Sequence, residues 1–229
     1  MNRFLLKLER MIRKIAVPNL MLYITGGMLV MFLLGFLFPG MVIFMGQETS
    51  LLGIFSLNRD ALFSGQVWRL ITYIFMPSGS SPIFILISLY FYYMIGTNLE
   101  RQWGTARFNL YYLLGMLGTT IAALISGYGT NMYLNYSLFF AFAVLFPNMQ
   151  VLLFFVIPLK IKYLAYLNAA FFLFSFVVGS WIDRAAILAS LLNFFLFFGG
   201  DFFKRIREQR KYSATRRNFH RQMNNNRWQ

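Results

Sequence analysis

Along this chain the apolar positions fall in long unbroken runs, not at the spacing of one buried helix face. Such runs cannot all point into a single water-soluble core. Stretches of about 20 apolar residues read as membrane-spanning helices. The pattern gives six spans, at 20–44, 82–99, 107–127, 131–147, 163–181 and 185–201. The expected fold class is therefore an all-α, six-span membrane bundle, its membrane domain covering 20–201. Ahead of it, residues 1–19 open with "MNRFLLKLERMIRK", a basic amphipathic lead whose following apolar stretch is too long for a secretory signal peptide. Residues 202–229 are basic, rich in Asn and Gln and nearly free of aliphatic side chains, so they are expected to be a disordered tail.

Two segments depart from six simple rods. The stretch "LNRDALFSGQVWRLITYIFMPSGSSP" carries Trp68, Tyr73 and Phe75 beside few charges, and reads as an amphipathic loop embedded in the interface. The stretch "PNMQVLLFFVIPLKIKYLA" is apolar but short, split by Pro158 and followed by Lys160 and Lys162. It reads as a loop lying against the cytoplasmic membrane surface.

Charge placement adds orientation. Arg3, Lys7, Arg10, Arg13 and Lys14 precede the first span, Arg101 and Arg107 sit between the second and third, and the tail holds most of the rest. With Lys160 and Lys162 these share one side, against Arg59, Arg69 and Arg184 on the other. Basic residues near span ends stay in the cytoplasm, so both termini are expected inside and the 46–81 loop outside. The net charge of +14 is thus largely a membrane signature, and anionic lipid headgroups are the expected partners of the tail. Nucleic acid or a ribosome, met by its arginines with Tyr212, Phe219 or Trp228 stacking, is the second candidate.

Composition removes several chemistries. There is no cysteine, which excludes disulfides and thiolate sites, and the single histidine, His220, lies in the tail. No histidine cluster is available to hold a metal in the membrane, and no cofactor is implied. Chain size and the lack of organellar signals suggest a bacterial plasma membrane.

Two motifs resemble the rhomboid family. One is "GQVWRLITYIF" (65–75), with Trp68 and Arg69 in the outer loop. The other is "IGTNLERQWGTARFNLYYLLG" (95–115), with Gly96, Glu100, Gly104 and Phe108. The order of spans is similar across roughly 60–200. Read physically, Trp68 and Arg69 join an interfacial aromatic to a cation that must find a carbonyl, a carboxylate or a phosphate. Glu100 and Arg101 can pair or cap helix ends, while Gly115 and Gly118 let spans pack closely.

The resemblance implies a Ser–His dyad, with the serine in a Gly-x-Ser-Gly motif on the fourth span and the histidine on the sixth. A histidine and an asparagine on the second span would help hold the oxyanion. Carried over by position, the nucleophile motif falls on Asn135, Tyr136, Ser137 and Leu138, within "YLNYSLFF". The serine matches and both glycines are lost. The oxyanion pair falls on Phe84 and Ser88, and the base falls within 185–193, where no histidine stands. A serine is a poor nucleophile without a base in hydrogen-bond reach. The remaining hydroxyl is expected to bond its own helix or a neighbour.

A rhomboid fold without its chemistry resembles the rhomboid pseudoproteases, the derlins and inactive rhomboids. That resemblance implies a protein that binds transmembrane segments of client membrane proteins, in quality control or regulation. Phe84, Ser88, Asn135, Tyr136, Ser137 and Leu138 would form the client cleft, and Phe172 would face lipid. The alternative is a divergent intramembrane serine protease using Ser137. A transporter is disfavoured, because the spans hold almost no ionisable residues.

Overall fold

The computed structural model of the chain describes residues 3–38, 40–44, 47–77, 81–153, 157–181, 184 and 187–198. The tail, with His220, Tyr212, Phe219 and Trp228, lies outside them. Among the described residues four helices are long and apolar enough to cross a membrane: α2 (Leu20–Leu37), α6 (Pro82–Trp103), α7 (Thr105–Ser126) and α9 (Ile161–Val178). The other two expected spans are shorter apolar helices, α8 (Met132–Leu145) and α10 (Ile187–Phe198). At 1.5 Å per residue α8 is about 21 Å long, less than the roughly 30 Å of hydrocarbon. It is buried on most sides, so neighbouring helices surround it along much of its length.

The first span ends earlier than its apolar run. Helix α2 stops at Leu37, just before Pro39 and Gly40, and Met41–Phe44 (β1) turns back to pair antiparallel with Gln47–Ser50 (β2). Proline disfavours helix in the residue before it, so apolarity alone overran the boundary. The stretch after α8 is likewise a hairpin, β5 (Gln150–Leu153) against β6 (Ile157–Lys160). Its two ends are tied by Ile161 N–H to Met149 O, 2.9 Å, and Lys162 N–H to Pro147 O, 3.2 Å. At the other terminus the basic lead forms α1 (Arg3–Ile12), packed on α7.

The 47–77 segment folds into short pieces: α3 (Leu51–Phe55), β3 (Leu57–Asn58), α4 (Arg59–Phe63), α5 (Arg69–Thr72) and a single 3₁₀ turn, Tyr73–Phe75. Its polarity is partly inside out. Gln66 and Arg69 are buried, while Phe63, Val67 and Ile71 are exposed. Outward apolar side chains at the end of a bundle fit an interface, where lipid covers them.

Arg69 holds this segment together. Helix α3 ends with carbonyls that have no partner inside the helix. Arg69 Nη1 donates to Gly53 O (2.7 Å) and Ser56 O (2.6 Å), Trp68 Nε1 donates to Ile54 O (3.3 Å), and Thr72 Oγ1 donates to Phe55 O (3.0 Å). Four successive carbonyls are taken by one short run of side chains. A cation there also suits the negative end of the helix dipole. Arg69 Nε donates to Gln66 Oε1 at 2.7 Å, and burial lowers its pKa from a value so high that it stays charged. The segment is then sewn to the bundle. Strand β3 pairs with Tyr128–Gly129 (β4), and Tyr73 OH donates to Met116 O at 3.1 Å. Asn131 Nδ2 donates to Ile74 O (2.9 Å) and Met76 O (2.8 Å).

A second clamp closes the opposite end. Glu100 does not pair with Arg101. Its Oε1 accepts from Asn19 N–H and from Thr105 Oγ1, both at 3.0 Å. A carboxylate thus sits at the N-terminus of α2, where the dipole favours it. Asn109 accepts from Val17 N–H (2.9 Å) and donates to Val17 O (3.0 Å), fixing the linker from α1. Gly104, at φ 82°, makes the break between α6 and α7 that brings Glu100 and Thr105 together.

Close helix crossings rest on glycine. A Cβ on Gly96 would lie 2.3 Å from Met21 Cγ, and one on Gly115 2.3 Å from Leu134 Cδ1, whereas Gly118 meets Ala189 at an ordinary 3.7 Å. Gly96→Ala is therefore expected to cost about 1–3 kcal/mol by overpacking and to lower the unfolding temperature in detergent, with Gly118→Ala near neutral. Equal shifts for the two would contradict this packing. Arg69→Met is expected to cost about 1.5–3 kcal/mol, by stranding Gly53 O and Ser56 O, and more than Trp68→Phe. Scanning fluorimetry checks both pairs.

Candidate functional site

Helix α8 carries "MYLNYSLFFAFAVL" and begins beside Asn131, the residue that holds the end of the outer segment. Leu134, Asn135, Ser137, Leu138 and Phe139 are all buried, so the polar residues of this stretch lie in the bundle interior. Ser137 is 1% exposed. Its partner is Tyr111 of α7, whose hydroxyl donates to Ser137 O at 3.0 Å and contacts Ser137 Oγ. The hydroxyl therefore bonds a neighbouring helix. Tyr111 is fixed by ring contacts with Trp103 (5.3 Å between centroids) and Phe197 (4.9 Å).

Helix α10 reaches the same tyrosine. Asn193 Nδ2 donates to Tyr111 O at 3.2 Å. Gly115 makes the room, since a Cβ there would lie 2.9 Å from Asn193 Nδ2. The serine and the segment expected to hold a base thus meet through Tyr111. An ordinary phenol titrates near 10 and is protonated at neutral pH, so the Tyr111 hydroxyl is a hydrogen-bond partner of the serine and not a base for it. An asparagine amide cannot act as a base either. Among the described residues no group of His, Asp and Glu side chains is placed to hold a metal.

Several polar atoms here are buried without a hydrogen-bond partner among the described residues: both Nδ2 and Oδ1 of Asn135, Ser190 Oγ and Asn193 Oδ1. Asn135 is 1% exposed, so its whole amide is enclosed. Buried polar groups are nearly always satisfied, and each exception asks for an explanation. In hydrocarbon surroundings the cost of leaving them unpaired is larger still.

The six expected cleft residues do not share one surface. Asn135, Ser137 and Leu138 are interior. Tyr136 is half-buried against Phe172 of α9, centroids 5.4 Å apart and edge-on. Phe84 is 58% exposed on α6, and Ser88 is half-buried further along the same helix. Phe172 is 4% exposed and ringed by Tyr133, Tyr136 and Phe140, so it does not face lipid. A single aromatic on an otherwise outward helix is drawn in by its ring partners, which hydropathy does not register. The motif residues Trp68, Arg69, Gly96, Glu100 and Gly104 lie in the clamps and crossings that hold the frame, and Phe108 is fully buried in the core. Tyr111, Ser190 and Asn193 were not singled out from sequence. Asn193 closes the 185–193 stretch in which no histidine stands.

Residues 23–133 match a family described as "Eukaryotic integral membrane protein (DUF1751)". The match runs from within α2, through the 47–77 segment and the residues Glu100 and Asn109, to the start of α8, just under half of the chain. No curated protein matches. The expectation of a bacterial plasma membrane is corrected by this finding, because the family is eukaryotic. Chain size and missing signals carried no information on that point. The chain is similar to these proteins over that region, and it is a multi-pass integral membrane protein in contact with the bilayer.

Proposed function

We propose that this is a non-catalytic, rhomboid-like membrane protein that binds transmembrane segments of client membrane proteins, in their quality control or regulation. In this reading six helices cross the membrane, with both termini on the side richest in Lys and Arg. The observation that carries the reading is the enclosed amide of Asn135, both of whose polar atoms lack a partner among the described residues. Such groups cost stability in the free protein and recover it when a client span brings its own polar or backbone groups. Helix α9 gives a route in, since Ile161 and Phe172 are its only buried residues among those described. Its contact with α8 is centred on the rings around Phe172.

The competing protease reading meets Tyr111, which occupies Ser137 from the α7 side. In liposomes, a fluorophosphonate probe and a generic rhomboid substrate should give the same signal for wild type and Ser137→Ala. Serine-dependent labelling or cleavage would return the chain to the peptidases.

Client binding makes a second demand, on stability and capture together. Asn135→Leu removes an unpaired buried amide, so it should leave the unfolding temperature unchanged or higher. It should also reduce protein adducts from a photo-crosslinking residue at Tyr136. Leu173, on the exposed side of α9, serves as the lipid-facing control. A destabilised Asn135→Leu variant, or adducts at Tyr136 no richer than at Leu173, would remove the support for this proposal.

A further inference from the structure

The outer segment holds a feature that client binding does not use. It is a cavity of about 470 Å³, lined by Ser56, Asn58, Asp60, Ser64, Gln66 and Arg69 among others. Its size falls in the range of small-ligand sites, yet its walls are mostly polar. Two charges of opposite sign line it. Arg69 is 5% exposed and spends Nε and Nη1 on Gln66, Gly53 and Ser56, while Nη2 has no partner among the described residues. No carboxylate pairs with Arg69 there, because the ion pair among the described residues joins Arg59 to Asp60, 3.4 Å apart on the exposed rim.

A buried guanidinium with a free edge favours a phosphate or carboxylate oxygen. Asp60, an exposed carboxylate in the same lining whose Oδ1 also meets Arg59, favours an ammonium group. The surrounding hydroxyls and amides supply further donors and acceptors. The cavity sits where the chain passes from the end of α2 to the start of α6, at the end of the bundle and so at headgroup depth. Phe63, Val67 and Ile71 are exposed on the same segment, an apolar surface that suits acyl chains.

We infer that this cavity is a binding site for a zwitterionic phospholipid headgroup carrying a phosphate and a primary ammonium. The phosphate lies on Arg69 and the ammonium on Asp60, and the acyl chains run along Phe63, Val67 and Ile71. Lipid bound there would add a counter-charge to Arg69 and tighten the outer segment. This inference does not depend on client binding, since none of its residues belongs to the α8 site.

The test is native mass spectrometry of the purified full chain in detergent, titrated separately with phosphatidylethanolamine, phosphatidylcholine and phosphatidylglycerol, and with excess inorganic phosphate as competitor. The expected result is preferential retention of phosphatidylethanolamine. Asp60→Asn, which leaves the Arg69 clamp in place, should reduce that preference about threefold to tenfold. Ala61→Trp should fill the cavity and abolish retention, while a melting profile like that of wild type shows the fold intact. Retention without headgroup preference, or retention unchanged by Ala61→Trp, would overturn the assignment. So would displacement by inorganic phosphate with no dependence on the lipid, which marks a simple anion site.

Discussion

Inside a bilayer a polar group must find its partner within the protein, and the architecture of this chain follows from how it meets that demand. Arg69, Trp68 and Thr72 take the four carbonyls at the end of α3, so a loop that would otherwise need water can lie at the membrane edge. Glu100 and Asn109 do the same at the other end for the linker and the start of α2. Asn131 ties the outer segment to α8. With both ends pinned, Gly96 and Gly115 let the helices close to the distances at which Met21, Leu134 and Asn193 fill the interior.

Against that frame a few interior groups stand out. Tyr111 bonds Ser137 through its hydroxyl, while Asn193 donates to the Tyr111 backbone carbonyl. In the same bundle Asn135, Ser190 Oγ and Asn193 Oδ1 are buried without a partner among the described residues. A protein under selection for stability alone would replace them with apolar residues. Their presence in the bundle interior is the feature from which the proposed binding of another span is argued.

Much of the frame could be read from the chain, for physical reasons. Long apolar runs have one common explanation, and the helices fall near the expected spans. The Trp-Arg and Glu/Gly motifs pointed to clamps, although Glu100 caps a helix and does not pair with Arg101. What escaped was local or cooperative. Pro39–Gly40 ended α2 within an apolar run, and the hairpins at 41–50 and 150–160 join stretches with no alternation to reveal them. Phe172 turned inward because three rings meet it from α8, a fact of tertiary packing. Tyr111 looked like one aromatic among many, and only its distance to Ser137 gives it a role.

The most direct test of the account is association in the bilayer itself. Energy transfer would be measured in liposomes between the labelled protein and a single-span peptide, either all-leucine or with one asparagine at mid-span. The account predicts tighter association of the asparagine peptide, and loss of that advantage in Asn135→Leu. Equal association of the two peptides, or an advantage that survives Asn135→Leu, would contradict it.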